Sequence, residues 1–155
     1  MPGKLQAQIK QSKPFVSLRE EALLNLWRTS DQLNHVLQQL LKSHGISHTQ
    51  YNVLRILRGA GPEGLATGEI AARMITRDPD ITRLIDRLER AGLARRAGQK
   101  GDRRVILARI APKGLKLLGE LDHPLMQLIE EKLGHMTDSR LRTLVGLLEQ
   151  IRAES

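Results

Sequence analysis

Cysteine is absent from this sequence of 155 residues, and aromatic side chains make up only 2% of it. The lack of cysteine excludes disulfides, thiolate metal sites and thiol-based redox sensing. The scarcity of aromatics means that a core must be built from aliphatic side chains, which is typical of helical proteins. With 40% hydrophobic residues, the chain is expected to form one cooperative unit around a single core.

The sequence also lacks any apolar run close to the roughly 20 residues that span a bilayer. We therefore expect no association with a membrane, and a cytoplasmic location. The N-terminal residues 1–17 are basic and contain no apolar signal core. They are expected to form a flexible basic arm and not a targeting sequence.

Positive charge is in excess, because 25 Lys and Arg stand against 17 Asp and Glu and give a formal net charge of +8. Taken alone, such a charge attracts polyanions and is compatible with nucleic acid, an anionic membrane surface or the ribosome as partner. Much of the excess lies in residues 73–109, where eleven basic and five acidic side chains leave +6. A local basic surface is therefore expected there.

Two helices are predicted in the first 62 residues. In the first helix, apolar side chains recur at three- and four-residue steps from Leu18 until Gly45 ends it. The second helix begins with a capping box, in which Ser47 and Gln50 each bond the backbone of the other. Glycine and proline at 61–62 stop this helix.

A pair of shorter helices is predicted next. The first begins at Thr67 as N-cap, directly after a very short strand at Leu65. The second starts at Asp78-Pro79, an N-cap carboxylate followed by proline at the first helical position, and it runs to Gly92. The predicted buried face of this second helix consists of Ile81, Leu84, Ile85 and Leu88.

After Gly92 the pattern is that of a β-hairpin, with strands over residues 93–97 and 103–110 and a polar loop between them. Pro112 then opens a long helix, and a last helix runs through Ile151. Together with the first helix, these two present leucine-rich faces that one small unit cannot bury alone. We expect a second copy of the chain to cover them.

The helix that ends at Gly92 presents mainly arginine opposite its buried face. A guanidinium group can bridge guanine O6 and N7 or clamp a phosphate, and a helix fits the major groove of DNA. The adjacent hairpin adds basic side chains on a thin projection suited to a minor groove, namely Arg95, Arg96, Lys100, Arg103 and Arg104. The predicted DNA-contacting residues are Arg77, Asp80, Thr82, Arg83, Arg87, Arg90, Lys100, Arg103 and Arg104. Asp102 is expected to orient one arginine of the hairpin.

Three runs in this region resemble the MarR (multiple antibiotic resistance regulator) family: TGEIAARM, DITRLIDRLERAGLARR and GDRRVILARIAPKG. The resemblance covers roughly residues 18–151. It implies a triangular homodimer in which the first, fifth and sixth helices interlock, with two recognition helices in successive major grooves and wing arginines in the flanking minor grooves. Two-fold symmetry would place the recognition helices about 34 Å apart on a pseudo-palindromic site of double-stranded DNA.

The predicted fold is therefore mainly α with a small β-hairpin wing, a winged helix-turn-helix with dimerisation helices at both ends. Residues 18–46 and 112–155 form the dimerisation region, and residues 47–111 form the DNA-binding region. The resemblance also implies a transcriptional regulator, expected to be a repressor, that responds to a small ligand. The predicted apolar walls of a ligand crevice between the two regions are Leu23, Trp27, Tyr51 and Leu54.

One feature departs from the family pattern, because acidic residues stand at the start of the recognition helix. Capping by Asp78, with Asp80 interacting with the helix macrodipole, is one interpretation. A contact from Asp80 to the amino group of cytosine is the other.

Simpler interpretations of the charged and histidine residues remain beside these. The arginines can form a solvated face paired with its own acids, for example Asp86 with Arg90. A winged-helix scaffold that docks protein partners without binding DNA is the alternative function. The histidines are scattered and no carboxylate pair lies near a nucleophile, so we expect no metal site, no cofactor and no enzyme activity.

Overall fold

The computed structural model describes residues 3–77, 80–99 and 102–153. The elements follow one another in the order helix, helix, helix, strand, helix, helix, strand, strand, helix, helix. Their bounds are α1 (Leu5–Gln8), α2 (Leu18–Ser43), α3 (His48–Ala60), β1 (Leu65–Ala66), α4 (Thr67–Arg73), α5 (Ile81–Arg90), β2 (Ala94–Gln99), β3 (Asp102–Ile110), α6 (Pro112–Leu133) and α7 (Asp138–Arg152). The expectation of a mainly helical fold with a small β-hairpin is confirmed.

The prediction of a flexible arm before Leu18 is corrected. The structure places a single helical turn, α1, in this segment and leaves Leu5 only 3% exposed. Leu5 and Ile9 border a cavity together with Leu24 and Trp27 of α2. Leu5 and Ile9 are four positions apart and share one helical face. This short segment can therefore pack against α2, although it is polar elsewhere.

The predicted connection between α2 and α3 is confirmed in detail. Gly45 has a backbone φ of +78°, the left-handed conformation that ends α2. The capping box then opens α3, because the Gln50 backbone N–H donates to Ser47 Oγ at 3.2 Å and the Ser47 backbone N–H donates to Gln50 Oε1 at 2.9 Å. Both bonds satisfy backbone groups that a helix start leaves without partners.

Two helix starts differ from the prediction by one or two residues. Helix α4 is capped at Ala66 and not at Thr67, because Leu65 and Ala66 pair with β3 and keep the chain extended up to that point. Helix α5 is capped by Asp80, whose Oδ1 accepts from the backbone N–H of Arg83 at 3.0 Å. The cap predicted at Asp78, and Pro79 after it, lie outside the described residues.

The three strands form one antiparallel sheet in the order β1-β3-β2. Leu65 lies opposite Ala108, and Ala94 lies opposite Ile110, with a register irregularity near the turn between β2 and β3. Gly64 has a φ of +77°, and a Cβ there would clash with the carbonyl oxygen of Ala108. Glycine therefore allows β1 to approach β3 closely.

A single aliphatic core lies between α3, α4, α5 and the sheet, and the inner faces of α2 and α6 close it. Its most deeply buried side chains are Leu41, Val53, Leu54, Leu57, Ile70, Ile85, Leu88, Leu118 and Leu121. At the start of α6, Gly114 is buried where a Cβ would clash with the Leu93 carbonyl and with Ile110. This close approach anchors the long helix on the base of the hairpin.

The outer faces of α2, α6 and α7 are apolar but exposed. Trp27 is 71% exposed, Met126 is 67% exposed and Ile151 is 64% exposed. Helix α7 contains no buried residue at all. The other large apolar side chains exposed on these helices are Leu18, Leu23, Leu33, Leu115, Ile129, Val145 and Leu147. In the part of the chain that the structure describes, no helix has the length and apolar character needed to cross a membrane.

Candidate nucleic-acid interface

Helix α5 is divided lengthwise into three stripes, each made of residues three or four positions apart and so aligned on one side of the helix. The core stripe is the predicted one, and its members Ile81, Leu84, Ile85 and Leu88 are all buried. The cationic stripe consists of Arg83, Arg87 and Arg90. The wing stripe consists of Thr82, Asp86 and Glu89.

The three side chains of the cationic stripe are exposed. The burial of the core stripe fixes their direction, because the two stripes lie about one third of a helical turn apart at 100° per residue. Arg77, which precedes the helix, is exposed as well. Four of the predicted DNA-contacting arginines are therefore accessible to a partner, three of them along α5 and one before it.

The wing stripe faces β2, and one side chain of that strand, Arg96, contacts all three of its residues. Nη1 of Arg96 is bonded to Asp86 and lies 3.7 Å from Glu89 Oε1. Nη2 of Arg96 donates to the backbone carbonyl of Thr82 at 3.1 Å. The sequence analysis placed Arg96 with the basic surface of the hairpin and considered Asp86 paired with Arg90. The observed partner of Asp86 is Arg96 instead, ten positions along the chain.

A buried amide positions the segment that enters α5. Asn52 of α3 is 7% exposed, and its Oδ1 accepts from the backbone N–H of Ile75 at 2.7 Å. The sequence analysis missed this residue. The feature of the sequence that could have indicated Asn52 is its position directly before Val53 and Leu54, which are buried. A polar side chain at a buried position requires a hydrogen-bond partner.

The C-terminal end of α5 is tied to the start of α6. Nζ of Lys113 donates to the carbonyl oxygen of Ala91 at 2.8 Å. The backbone N–H of Ala111 donates to the carbonyl oxygen of Leu93 at 2.9 Å. A lysine at this place also complements the negative end of the α5 dipole. The C-terminal end of α5 is thus fixed to the start of α6, and the segment before α5 is held at Ile75 by α3.

Asp80 and Thr82, also predicted to contact DNA, are exposed at the start of α5. The other predicted contacts lie at the tip of the hairpin. Lys100 lies outside the described residues. Asp102, Arg103 and Arg104 form the start of β3 through their backbone, and the roles predicted for their side chains also lie outside what the structure describes. These roles stay predictions.

The four residues predicted to line a ligand crevice do not come together. Leu54 is fully buried in the core, whereas Leu23 is 63% exposed on α2. Trp27 borders the cavity beside α1, and Tyr51 borders a different one. They lie apart in part because the 26-residue α2 spreads its side chains over well-separated places. A role of these residues in ligand binding stays a prediction.

The cavity at Tyr51 measures about 230 Å³ and lies between α2, α3 and the segment that enters α5. Its walls include Asn34 and Leu37 of α2, His48 and Arg55 of α3, and Ile75 and Thr76. The Nε2 atom of His48 is buried and has no hydrogen-bond partner among the described residues. The same part of the chain contains no cluster of side chains suited to a metal ion.

Two successive helices, a three-stranded sheet that contacts both of them and an arginine stripe on the second helix define a winged helix-turn-helix DNA-binding protein. A family model described as the MarR family matches residues 44–105. A MarR transcription factor of known structure from Planctomyces limnophilus is 43% identical, over 88% of this chain and 99% of that chain, with a TM-score of 0.68. The chain belongs to the MarR family of transcriptional regulators.

Two further comparisons agree with this assignment. The regulator PrsX of Escherichia coli is 26% identical over 129 residues, which are 83% of this chain and 78% of PrsX. BpsR of Bordetella bronchiseptica, whose DNA binding is regulated by 6-hydroxynicotinic acid, is 20% identical and has the same fold, with a TM-score of 0.78 over 92% of this chain and 100% of that chain. Family membership confirms DNA binding and transcription regulation, and it confirms that the chain is not an enzyme.

Proposed function

We propose that this regulator acts as a homodimer that holds a pseudo-palindromic duplex, with one cationic stripe and one wing from each copy. The observation that carries the proposal is the cationic stripe, because three arginines are exposed along one side of a helix whose other two sides are occupied by the core and the wing. Arginine at such positions suits both bidentate contacts to guanine and contacts to phosphate.

The exposed apolar faces of α2, α6 and α7 support the homodimer. Among the described residues, ten large apolar side chains are exposed on these three helices. Burial of apolar surface is favourable by about 25 cal/mol per Å², and many exposed apolar side chains on neighbouring elements are typical of an interaction surface. These faces belong to the first long helix and to the last two helices. In a dimer, the helices of one copy can therefore cover the apolar faces of the other copy. Two-fold symmetry then gives two recognition helices about one duplex turn apart.

Repression is the proposed effect on transcription. A dimer that occupies two successive major grooves covers promoter DNA and excludes other proteins from it, without needing a further contact surface. A reporter gene behind the bound promoter tests this: expression is expected to rise when the regulator is deleted. A fall in expression would identify an activator.

A small organic acid is the proposed effector, and the cavity at Tyr51 is its proposed site. His48 and Arg55 offer cationic or hydrogen-bonding groups beside an apolar wall. The cavity also adjoins Ile75, whose backbone is held by Asn52, so a ligand there can shift the population of recognition-helix positions. The regulation of BpsR by 6-hydroxynicotinic acid supports this class of effector.

6-Hydroxynicotinic acid and benzoic acid are suitable probes for this site. Either acid is expected to weaken the complex with duplex DNA, and Arg55→Ala is expected to reduce that effect while leaving DNA affinity without ligand unchanged. Lys42→Ala, which removes a charge from the exposed end of α2, is the matched control. Tight binding of an acid with no change in DNA affinity would contradict the coupling.

A salt titration of duplex binding tests the central proposal. The logarithm of the binding constant is expected to fall steeply with the logarithm of salt concentration, by about 0.9 for each phosphate contact. Arg83→Gln, Arg87→Gln and Arg90→Gln are each expected to weaken binding, whereas Lys42→Gln should change it little. A scaffold that docks proteins would instead show little duplex binding even at low salt.

A further inference from the structure

We infer that Arg96 is a positioning residue of the recognition helix: by holding Asp86, it keeps this carboxylate from pairing with the arginines of the cationic stripe. The inference rests on the proposed role of the cationic stripe. It differs from the role first predicted for Arg96, which was to add positive charge to a DNA-facing hairpin.

One arginine meets every member of the wing stripe. Its Nη1 is bonded to Asp86 and lies 3.7 Å from Glu89 Oε1, and its Nη2 donates to the Thr82 carbonyl at 3.1 Å. The backbone N–H of Arg96 donates to Glu89 Oε2 at 2.9 Å. A planar guanidinium group can donate to several acceptors at once in this arrangement, whereas the ammonium group of a lysine cannot.

The side chain of Arg96 points towards α5 and not away from the protein. Successive side chains of a strand point to opposite faces, so Arg96 shares the face of the buried Ala94, and Arg95 lies on the other face. The Arg96 side chain is 25% exposed, less than the 41% of Asp86 and the 44% of Glu89. A direct contact from Arg96 to DNA would require its bonds to the helix to break.

Without the Arg96 side chain, Asp86 would find its nearest cations within α5 itself, whereas Glu89 would keep its bond from the Arg96 backbone N–H. Asp86 is three positions from Arg83 and four from Arg90, the spacings at which side chains on a helix pair. Such pairs would draw arginines of the cationic stripe towards the wing stripe and reduce their attraction to phosphate. Because Arg96 occupies the Asp86 carboxylate from the neighbouring strand, these arginines remain directed outward.

A double-mutant cycle on duplex affinity tests this inference. Arg96→Gln is measured alone and in a background that carries Asp86→Asn and Glu89→Gln, with fluorescence anisotropy at one salt concentration. In the natural background, Arg96→Gln is expected to weaken binding about tenfold or more. In the neutralised background, the same substitution is expected to cost little, since no carboxylate is left to pair with the stripe.

Matched variants separate this role from the simple loss of charge. Arg95→Gln removes the same charge from the same strand on the opposite face, and it is expected to weaken binding much less than Arg96→Gln. Arg96→Lys keeps the charge but cannot reach all the acceptors, so only part of the affinity should return. Thermal melting of each variant shows whether the fold is retained.

The outcomes are distinct. An equal loss of affinity in both backgrounds would identify Arg96 as a direct DNA contact and overturn the inference, while the proposed function stands. A loss of affinity already caused by Asp86→Asn with Glu89→Gln alone would show that the ion pairs act only by holding the wing, which also overturns it. Absence of duplex binding by the natural protein would instead refute the proposed function.

Discussion

Arg58 of α3 and Asp122 of α6 form an ion pair in which one guanidinium nitrogen, Nη1, lies 3.0 Å from each carboxylate oxygen. The two residues are 64 positions apart. Their contact joins the helix that packs behind the recognition helix to a helix of the proposed dimer interface. We therefore expect the angle between α3 and the proposed dimerisation helices to depend in part on this pair.

Asp122→Asn is expected to change stability only slightly and DNA affinity more. The Arg58 and Asp122 side chains are 35% and 53% exposed, and pairs at such exposure contribute about 0.2–1 kcal/mol to the free energy of unfolding. Loss of the ion pair is expected to affect the spacing of the two recognition helices more than stability, because the pair is lost in both copies of the dimer. Urea denaturation and duplex affinity measure the two effects, with Glu120→Gln on the same helix as control. A loss of stability with unchanged affinity would contradict a role in spacing.

Asn52→Ala is expected to loosen the entry to the recognition helix. The substitution leaves the backbone N–H of Ile75 without its acceptor, and because Ile75 is exposed and water can bond this N–H, the loss is about 0.5–1.5 kcal/mol. Hydrogen exchange at Ile75 should become faster, and duplex affinity should fall. Asn34→Ala, which alters another asparagine beside the same cavity, is expected to do neither. Unchanged exchange at Ile75 would show that the amide does not hold this segment.

Asp80→Ser is expected to preserve both stability and sequence preference, because serine is also an efficient N-cap. Asp80→Ala removes the bond to the Arg83 backbone and is expected to lower the free energy of unfolding by about 1 kcal/mol. Duplexes with either cytosine or another base at each operator position serve as the measurement. If Asp80→Ser changes which base is preferred, Asp80 contacts cytosine as well as capping the helix.

The periodic parts of the structure could be predicted from the sequence. The core stripe of α5, the capping box at Ser47 and the hairpin depend on residues close together in the chain, so spacing alone indicates them. The cationic stripe followed from the same spacing, since the burial of one side of a helix fixes the direction of the others.

The parts that sequence analysis missed depend on contacts between distant segments. The docking of α1 on α2, the bond from Asn52 to Ile75 and the cavity at Tyr51 each require the fold to bring separate elements together. The pairing of Arg96 with Asp86 crosses from a strand to a helix, a relationship that rules for neighbours within one helix do not cover.

Selection of bound sequences from a random pool of duplexes tests the account most directly. The predicted result is an inverted repeat with half-site centres about 10 base pairs apart, bound by two copies of the chain. Base preferences within each half-site should relax when Arg83→Ala or Arg87→Ala is used for the selection. An asymmetric site bound by one copy, or a pool that shows no enrichment, would contradict it.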